Sequence, residues 1–308
     1  MTMIVPLKQS GRRSPAALPG LIPRPSMGFG HSEEVVGKAL RGCRNNVVLS
    51  TKCGLQWENT SGSFHFSRDG HEVYRDLSPK GLRRGLENSL KRLGTDYVDV
   101  YYTHWQSQGP SAVPIEDTMG ELMKMKTEGK IRAVGASNVT VNHLKEYLKY
   151  GQLDVIQEKF SMVDRNLEHE LLPFCLSNGI TVQTYSPLEQ GLLTGKIGMD
   201  YQVKPGEVRE NRKWWIRENR KLVLGMLAGW SDLAQKYQTT VGNLVIAWTM
   251  GRCESFNVLC GARKPEQVNE NLKACGLTLE RADIERMTRD SDTIMTASVC
   301  GEEGFHKK

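Results

Sequence analysis

Val47-Val48-Leu49-Ser50-Thr51-Lys52 and Val98-Asp99-Val100-Tyr101-Tyr102-Thr103-His104 decide how this chain reads. Each is a short β-rich run ending on a group that can polarise a carbonyl, an amine in one case and an imidazole in the other. Between them lies a helical pattern. Ser78-Pro79 sets a capping hydroxyl before a proline at the first helical position, and Leu82, Leu86, Leu90 and Leu93 recur at helical spacing. Strand, helix, strand, with functional side chains at the carboxyl ends of the strands, is the arrangement from which a (β/α) barrel works.

The alternation extends outward from these two runs. Strands are expected at Val47 to Thr51, Tyr97 to Thr103, Ile131 to Ala136, Val155 to Phe160, Ile180 to Tyr185 and Phe256 to Cys260. Helices are expected over Ile115 to Glu128, Val141 to Tyr150, Glu168 to Asn178, Lys221 to Tyr237, Val241 to Met250 and Pro265 to Ala274. Such alternation implies parallel pairing through right-handed crossovers. The fold class is therefore α/β, a (β/α)8 TIM barrel with its first one or two β/α units missing or degraded, and 308 residues suit one such domain. Residues 1–27 read as an aberrant N-terminal segment and 28–308 as the barrel domain. Gly191 to Arg220, rich in charge and carrying Trp214-Trp215, reads as a long excursion, either a lid over a ligand or surface packing.

An open doubly wound sheet is the architectural rival, and its motifs fail. Gly28-Phe29-Gly30 has Glu33 where a dinucleotide fingerprint needs its third glycine. Gly191-Leu192-Leu193-Thr194-Gly195-Lys196 is one residue short of a phosphate loop, and Ile197 stands where Ser or Thr is required. His71-Glu72 and Glu168-His169-Glu170 lack the second histidine of a zinc helix, so no metal is assigned.

Lys and Arg outnumber Asp and Glu by 41 to 35, without a basic run or interleaved aromatics, which argues against nucleic acid as a partner but leaves a phosphorylated small molecule open. Cysteines at 43, 53, 175, 253, 260, 275 and 300 form no C-x-x-C pair, and neither a signal-like apolar core in residues 1–25 nor a membrane span is evident. A reduced cytoplasmic compartment is expected. Oligomeric state is left open.

Seven separated motifs then point to a family. Gly28-Phe29-Gly30-His31-Ser32-Glu33-Glu34, Thr51-Lys52, Tyr102-Thr103-His104-Trp105, Gly135-Ala136-Ser137-Asn138, Tyr185-Ser186-Pro187-Leu188, Gly191 to Lys196, and Gly261-Ala262-Arg263-Lys264-Pro265-Glu266-Gln267 occur in the order seen in aldo-keto reductases. The chain resembles that family from about Gly28 onward. The resemblance implies an eight-stranded (β/α) barrel that binds NADPH without a Rossmann motif and reduces small aldehydes or ketones. It also implies that Ser137, Asn138 and Gln157 hold the nicotinamide carboxamide and that the Tyr185 ring lies beneath the nicotinamide. Ser186, Leu188, Gln190 and Leu192 then follow the pyrophosphate, and Gly261, Arg263, Gln267 and Asn271 surround the adenosine end. A guanidinium at Arg263 suits a ribose 2′-phosphate and so favours NADPH.

By the same resemblance, catalysis needs an Asp, a Tyr just before the glycine motif, a Lys and a His. Lys52 and His104 match the last two. Met27 stands at the tyrosine position, and Leu21-Ile22 lies near the expected aspartate. The loss is chemically severe, because after hydride attack the carbonyl oxygen needs a proton, and a phenol whose pKa a lysine lowers from about 10 supplies it. Pro6 to Gly11 resembles the family's N-terminal hairpin. With permissive codons, Leu21 to Gly28 read in a neighbouring frame gives Asp-Ser-Ala-Pro-Val-Tyr-Gly, the family's D-x-A-x-x-Y-G motif, so Arg12 to Met27 fits a frame-shifted translation restored at Gly28. Three readings follow: an NADPH-dependent carbonyl reductase impaired in this chain, an inactive NADPH-binding regulatory protein, or an unstable barrel fragment, since an incomplete barrel exposes two strand edges.

Overall fold

The computed structural model describes residues 2–5, 20–22, 28–110 and 112–301, with side chains from residue 28 onward. Met27, the whole of Pro6 to Gly11 and all of the proposed frame-shifted segment except residues 20–22 lie outside these residues. The described residues divide into two compact units, one built from residues up to 158 together with 168–183, the other from 159–167 with 184–301.

The first unit is a parallel sheet with helices in its crossovers. β1 (Thr2–Val5) pairs antiparallel with β2 (Gly20–Ile22), and β2 pairs parallel with β3 (Val48–Cys53), with α1 (His31–Ala39) between β2 and β3. After β3 comes a small three-stranded antiparallel sheet of β4 (Leu55–Gln56), β5 (Ser63–Arg68) and β6 (His71–Arg75), in the order β4-β6-β5. Then α2 (Pro79–Leu93) leads to β7 (Val98–Thr103), α3 (Ile115–Thr127) to β8 (Ile131–Ser137), and α4 (Val141–Tyr150) to β9 (Val155–Lys159). β3-β7-β8-β9 pair parallel in sequence, with Lys52 opposite Tyr102, Tyr102 opposite Gly135, and Ser137 opposite Gln157. That register places the carboxyl ends of neighbouring strands side by side. The apolar stripe of α2 buries Leu82, Leu86, Leu90 and Leu93 as its spacing requires, and Ser78 Oγ accepts from Gly81 N at 3.1 Å as the cap. α5 (Leu171–Ser177) then leads to β10 (Thr181–Tyr185).

The second unit contains α6 (Arg217–Ala228), α7 (Ser231–Lys236), α8 (Val241–Gly251), β11 (Phe256–Gly261), α9 (Pro265–Lys273) and α10 (Arg281–Ala297). Its core stacks the Phe160 and Trp248 rings at 6.3 Å, with Phe256 edge-on to Phe160 at 4.9 Å. α8 is buried almost all round, which is why its pattern shows little amphipathic periodicity.

Several expectations need correction. Lys221 to Tyr237 is two helices, because Gly229 weakens the run and Trp230 turns into the core, where its Nε1 donates to Asp290 at 2.8 Å. α5 starts later than Glu168, which spares Pro173 an interior helical position. Trp214 and Trp215 are buried, Trp215 beneath the Arg209 guanidinium at 4.6 Å and edge-on to Tyr201, so in this structure the pair packs the second unit. All seven cysteines are free thiols, and burial pushes Cys53, Cys175 and Cys260 up to about 12, which silences them as nucleophiles. Among the described residues no helix is long and apolar enough to cross a membrane.

Candidate active site

Polar groups collect where the strands of the first unit end. Lys52, 6 % exposed on β3, donates from Nζ to Gln157 Oε1 at 2.6 Å. Gln157 Nε2 donates to Gln183 Oε1 at 2.6 Å, and Tyr102 OH donates to the same oxygen at 3.0 Å. These bonds fix the Gln157 amide with its oxygen toward the ammonium. A buried lysine charge is tolerable only with such polar company.

One layer along, Ser137 Oγ donates to Gln157 O at 2.6 Å, and Asn138 Nδ2 donates to His104 O at 2.8 Å. His104 is itself set by its backbone N, which donates to Cys53 O at 3.0 Å, and its ring stacks on Trp105. Lys52, His104, Ser137, Asn138 and Gln157 thus form one bonded set on four adjacent strands. Asn138 reaches its place with a left-handed backbone, φ +57°. Glu158 holds that turn: its Oε1 accepts from Val139 N at 2.7 Å, and burial pushes its carboxyl up to about 8.

Three supports were not foreseen from the sequence. Gln106 ties Thr103 Oγ1 and Ser137 O through its Nε2, both at 3.3 Å, and takes Tyr147 OH at 2.8 Å. Glu158 is the second. Its signal was available, since Gln157-Glu158-Lys159 puts three polar residues in a strand of the kind usually read as continuously apolar. The third is Glu33, wholly buried, which accepts Thr51 Oγ1 at 2.6 Å and pairs with Arg92 Nε at 2.7 Å. Arg92 passes so close to Gly30 that a Cβ there would sit 2.6 Å from its Cδ, and Gly30 also has φ +96°, so glycine is required twice over.

The remaining expected residues lie in the second unit. Tyr185 is mostly buried and its carbonyl accepts Phe160 N at 3.1 Å. The loop after it holds Ser186, Glu189 and Gln190 at positive φ, with Gly191 at +103°. A buried ion group pins this shape: Lys159 Nζ reaches Asp164 Oδ2 at 2.6 Å and Glu189 Oε1 at 3.2 Å, while Ser161 Oγ donates to Glu189 Oε1 at 2.8 Å. Gln190 O accepts Arg209 Nη2 at 2.8 Å, and Gln190 Oε1 is buried with no partner. Leu188 is half-buried, whereas the Leu192 side chain is wholly in the core, so any ligand contact there runs through its backbone. At the start of α9, Arg263 is exposed, Gln267 Oε1 accepts Arg263 N at 2.7 Å and Lys264 N at 3.2 Å, and Asn271 is buried; Gly261 closes β11 on the surface.

The residues fit a nicotinamide cofactor on their own chemistry. Gln157 keeps one amide hydrogen and one oxygen lone pair beyond its bonds to Gln183 and Lys52, the complement of a carboxamide. The loop around Gln190 keeps a strained left-handed backbone, a feature that clusters at ligand-binding segments. A cavity of about 40 Å³ beside Lys52, lined by Trp57, Asp76, Arg84, Asn88 and Arg92 among others, has room for a water molecule and is too small for a substrate.

Parallel strands joined by helical crossovers, with polar groups gathered at their carboxyl ends, define a protein of the (β/α)-barrel class. The chain belongs to the aldo/keto reductase family, whose profile matches residues 27–291. An NADH-specific methylglyoxal reductase of Escherichia coli is 47 % identical over 271 residues, covering 88 % of this chain and 82 % of that protein. Among solved structures, a glycerol dehydrogenase of Gluconobacter oxydans superposes with a TM-score of 0.80 at 29 % identity, covering 94 % of this chain and 84 % of that one. An aldo-keto reductase of Klebsiella pneumoniae in complex with NADPH gives 0.64 at 25 % identity, covering 88 % and 78 %. The fold class is accordingly the α/β barrel of this family, and its members bind nicotinamide cofactors.

Proposed function

We propose that this chain binds NADPH and a small aldehyde or ketone, and that its reductase chemistry is impaired as written because Met27 stands where the family has its tyrosine acid. The observation that carries the reading is the bonded set Lys52, Gln157, Ser137, Asn138 and His104 at the ends of neighbouring parallel strands. In this reading Ser137, Asn138 and Gln157 hold the carboxamide, Tyr185 is the platform, Ser186, Leu188, Gln190 and Leu192 follow the pyrophosphate, and Gly261, Arg263, Gln267 and Asn271 take the adenosine end. When bound, the cofactor supplies hydride. Lys52 places a fixed positive charge where a carbonyl oxygen gains negative charge, and His104 orients that oxygen. The E. coli relative's name adds a dicarbonyl to the substrate classes worth testing.

Cofactor preference divides the supports. Arg263 is an exposed guanidinium at a helix start and favours a 2′-phosphate, while the relative from E. coli is NADH-specific. Fluorescence titration decides it: NADPH should bind more tightly than NADH, and Arg263→Ala should weaken NADPH alone by about tenfold or more. Equal weakening of both cofactors, or of neither, rejects the assignment. The second reading, an NADPH-binding regulatory protein without turnover, is favoured by Met27 itself. A cytoplasmic location, a barrel domain over 28–308 after an aberrant 1–27, and the absence of nucleic-acid and membrane partners belong to the same proposal.

A further inference from the structure

Arg75 closes β6 and differs from its neighbours. In the first unit Arg44, Arg83, Arg84 and Arg92 each reach a carboxylate: Asp99, Glu121, Asp76 and Glu33. Arg75 pairs with no carboxylate among the described residues. Its Nε and Nη2 both donate to one atom, His65 Nδ1, at 3.2 and 3.1 Å, and its Nη1 donates to Gln108 Oε1 at 2.7 Å and to Gln106 O at 3.4 Å. All of these acceptors are neutral. Burial and then the charge of Arg75 bring the His65 imidazole down to about 4, so it presents a lone pair and no charge at ordinary pH. Two donors on one nitrogen under-use the guanidinium edge that matches a carboxylate or phosphate bidentately. Burial also lowers the pKa of Arg75, the mark of a cation held partly out of water without an anion.

The place of this cation gives it meaning. Its guanidinium lies over the Trp105 ring at 5.2 Å, and Trp105 stacks on His104. One aromatic ring therefore separates the unpaired charge from the imidazole of the candidate catalytic set, and Gln106, whose carbonyl it touches, is the residue that braces Ser137.

We infer that Arg75 is the anion-recognising residue of the substrate site, so that carbonyl compounds carrying a carboxylate or phosphate at the far end of a short chain dock that group on its Nε and Nη2 edge, displacing His65. This rests on reading Lys52 and His104 as the carbonyl end. It narrows the substrate class from small carbonyls at large to anionic ones, with Trp105 as the floor between the two ends.

Calorimetric titration of the full chain tests it, with and without saturating NADP⁺, which allows binding without turnover. The carboxylate arm compares 4-oxobutanoate with its methyl ester, and the phosphate arm compares glyceraldehyde 3-phosphate with glyceraldehyde. At least one anion should bind about ten- to a hundredfold more tightly than its uncharged partner, and the tighter arm identifies the group. Arg75→Gln should bring that ratio close to one without changing NADP⁺ affinity, and Arg75→Lys should recover part of it. His65→Leu separates recognition from structure: it should keep or raise the ratio, because His65 competes for the same edge. A ratio near one in the unaltered chain, a ratio that survives Arg75→Gln, or its loss in His65→Leu to the same degree overturns the inference. Failure of NADP⁺ to bind would instead count against the cofactor reading, and the comparison made without cofactor would still judge Arg75.

Discussion

Glu158 shows how one side chain can tie site geometry to pH. Its carboxyl is pushed from 4.5 up to about 8 by burial while it holds Val139 N beside the left-handed Asn138. The folded state therefore keeps a proton that the unfolded chain releases near 4.5. Its stability contribution is full below that value and declines as pH rises toward 8, by roughly 3–5 kcal/mol at most. Glu158→Gln keeps an acceptor and removes the titration, so urea melts should show the variant gaining on the parent between pH 5 and 8; parallel curves would refute the assignment. Lys159 makes the complementary case. Lys159→Met strands the buried Glu189 and the half-buried Asp164 carboxylates and should cost about 3–5 kcal/mol, part of which Glu189→Gln in the same chain should recover. At this scale the sequence exposed Lys52 and His104, because a strand run followed by a polar group is visible in one dimension. Glu33, Gln106 and Gln183 were not visible, since each is defined by a partner at least 18 residues away.

Among elements, the six runs read as strands correspond to β3, β7, β8, β9, β10 and β11, and the capped helix at Ser78-Pro79 is α2. Apolar clustering between turn residues made them legible. The small sheet β4-β6-β5 was missed, although Asp69-Gly70 is the usual dipeptide of a two-residue hairpin, and both residues have positive φ, +51° and +78°. Its strands hold few apolar residues, and the alternation of Phe64 and Phe66 with Ser63, His65 and Ser67 spans only five positions, the one signal that could have marked them. Two glycines in it should behave differently. A Cβ at Gly62 would meet Arg75 O at 2.0 Å, whereas one at Gly70 meets nothing within 4 Å. Gly70→Ala should lose only the left-handed strain, about 1–2 kcal/mol, and Gly62→Ala should lose more, with faster amide exchange across residues 55–75 as β5 leaves β6. Equal losses would mean that the close approach at Gly62 is relieved without cost.

For the molecule as a whole, the question is whether a barrel that keeps its cofactor-type groups can act without the segment that carries the acid. β1 pairs antiparallel with β2, whereas β3, β7, β8 and β9 pair parallel. Lys52 is bonded to Gln157 and can supply charge, but an ammonium in place does not replace a tuned phenol. General acid catalysis typically contributes about 10² to 10⁴-fold, so the chain as written should oxidise NADPH very slowly with small aldehydes. Met27→Tyr alone should recover little if the backbone before Gly28 is misplaced, whereas restoring Asp-x-Ala-x-x-Tyr-Gly together with the first β/α unit should create activity that Lys52→Met and His104→Ala then remove. Steady-state NADPH oxidation over an aldehyde panel reads all of these chains. Rapid turnover by the chain as written, surviving both Lys52→Met and His104→Ala, would sink the mechanism. A restored chain that folds and binds NADPH yet stays silent would move the weight to regulation, because the acid would then be present and the substrate still refused.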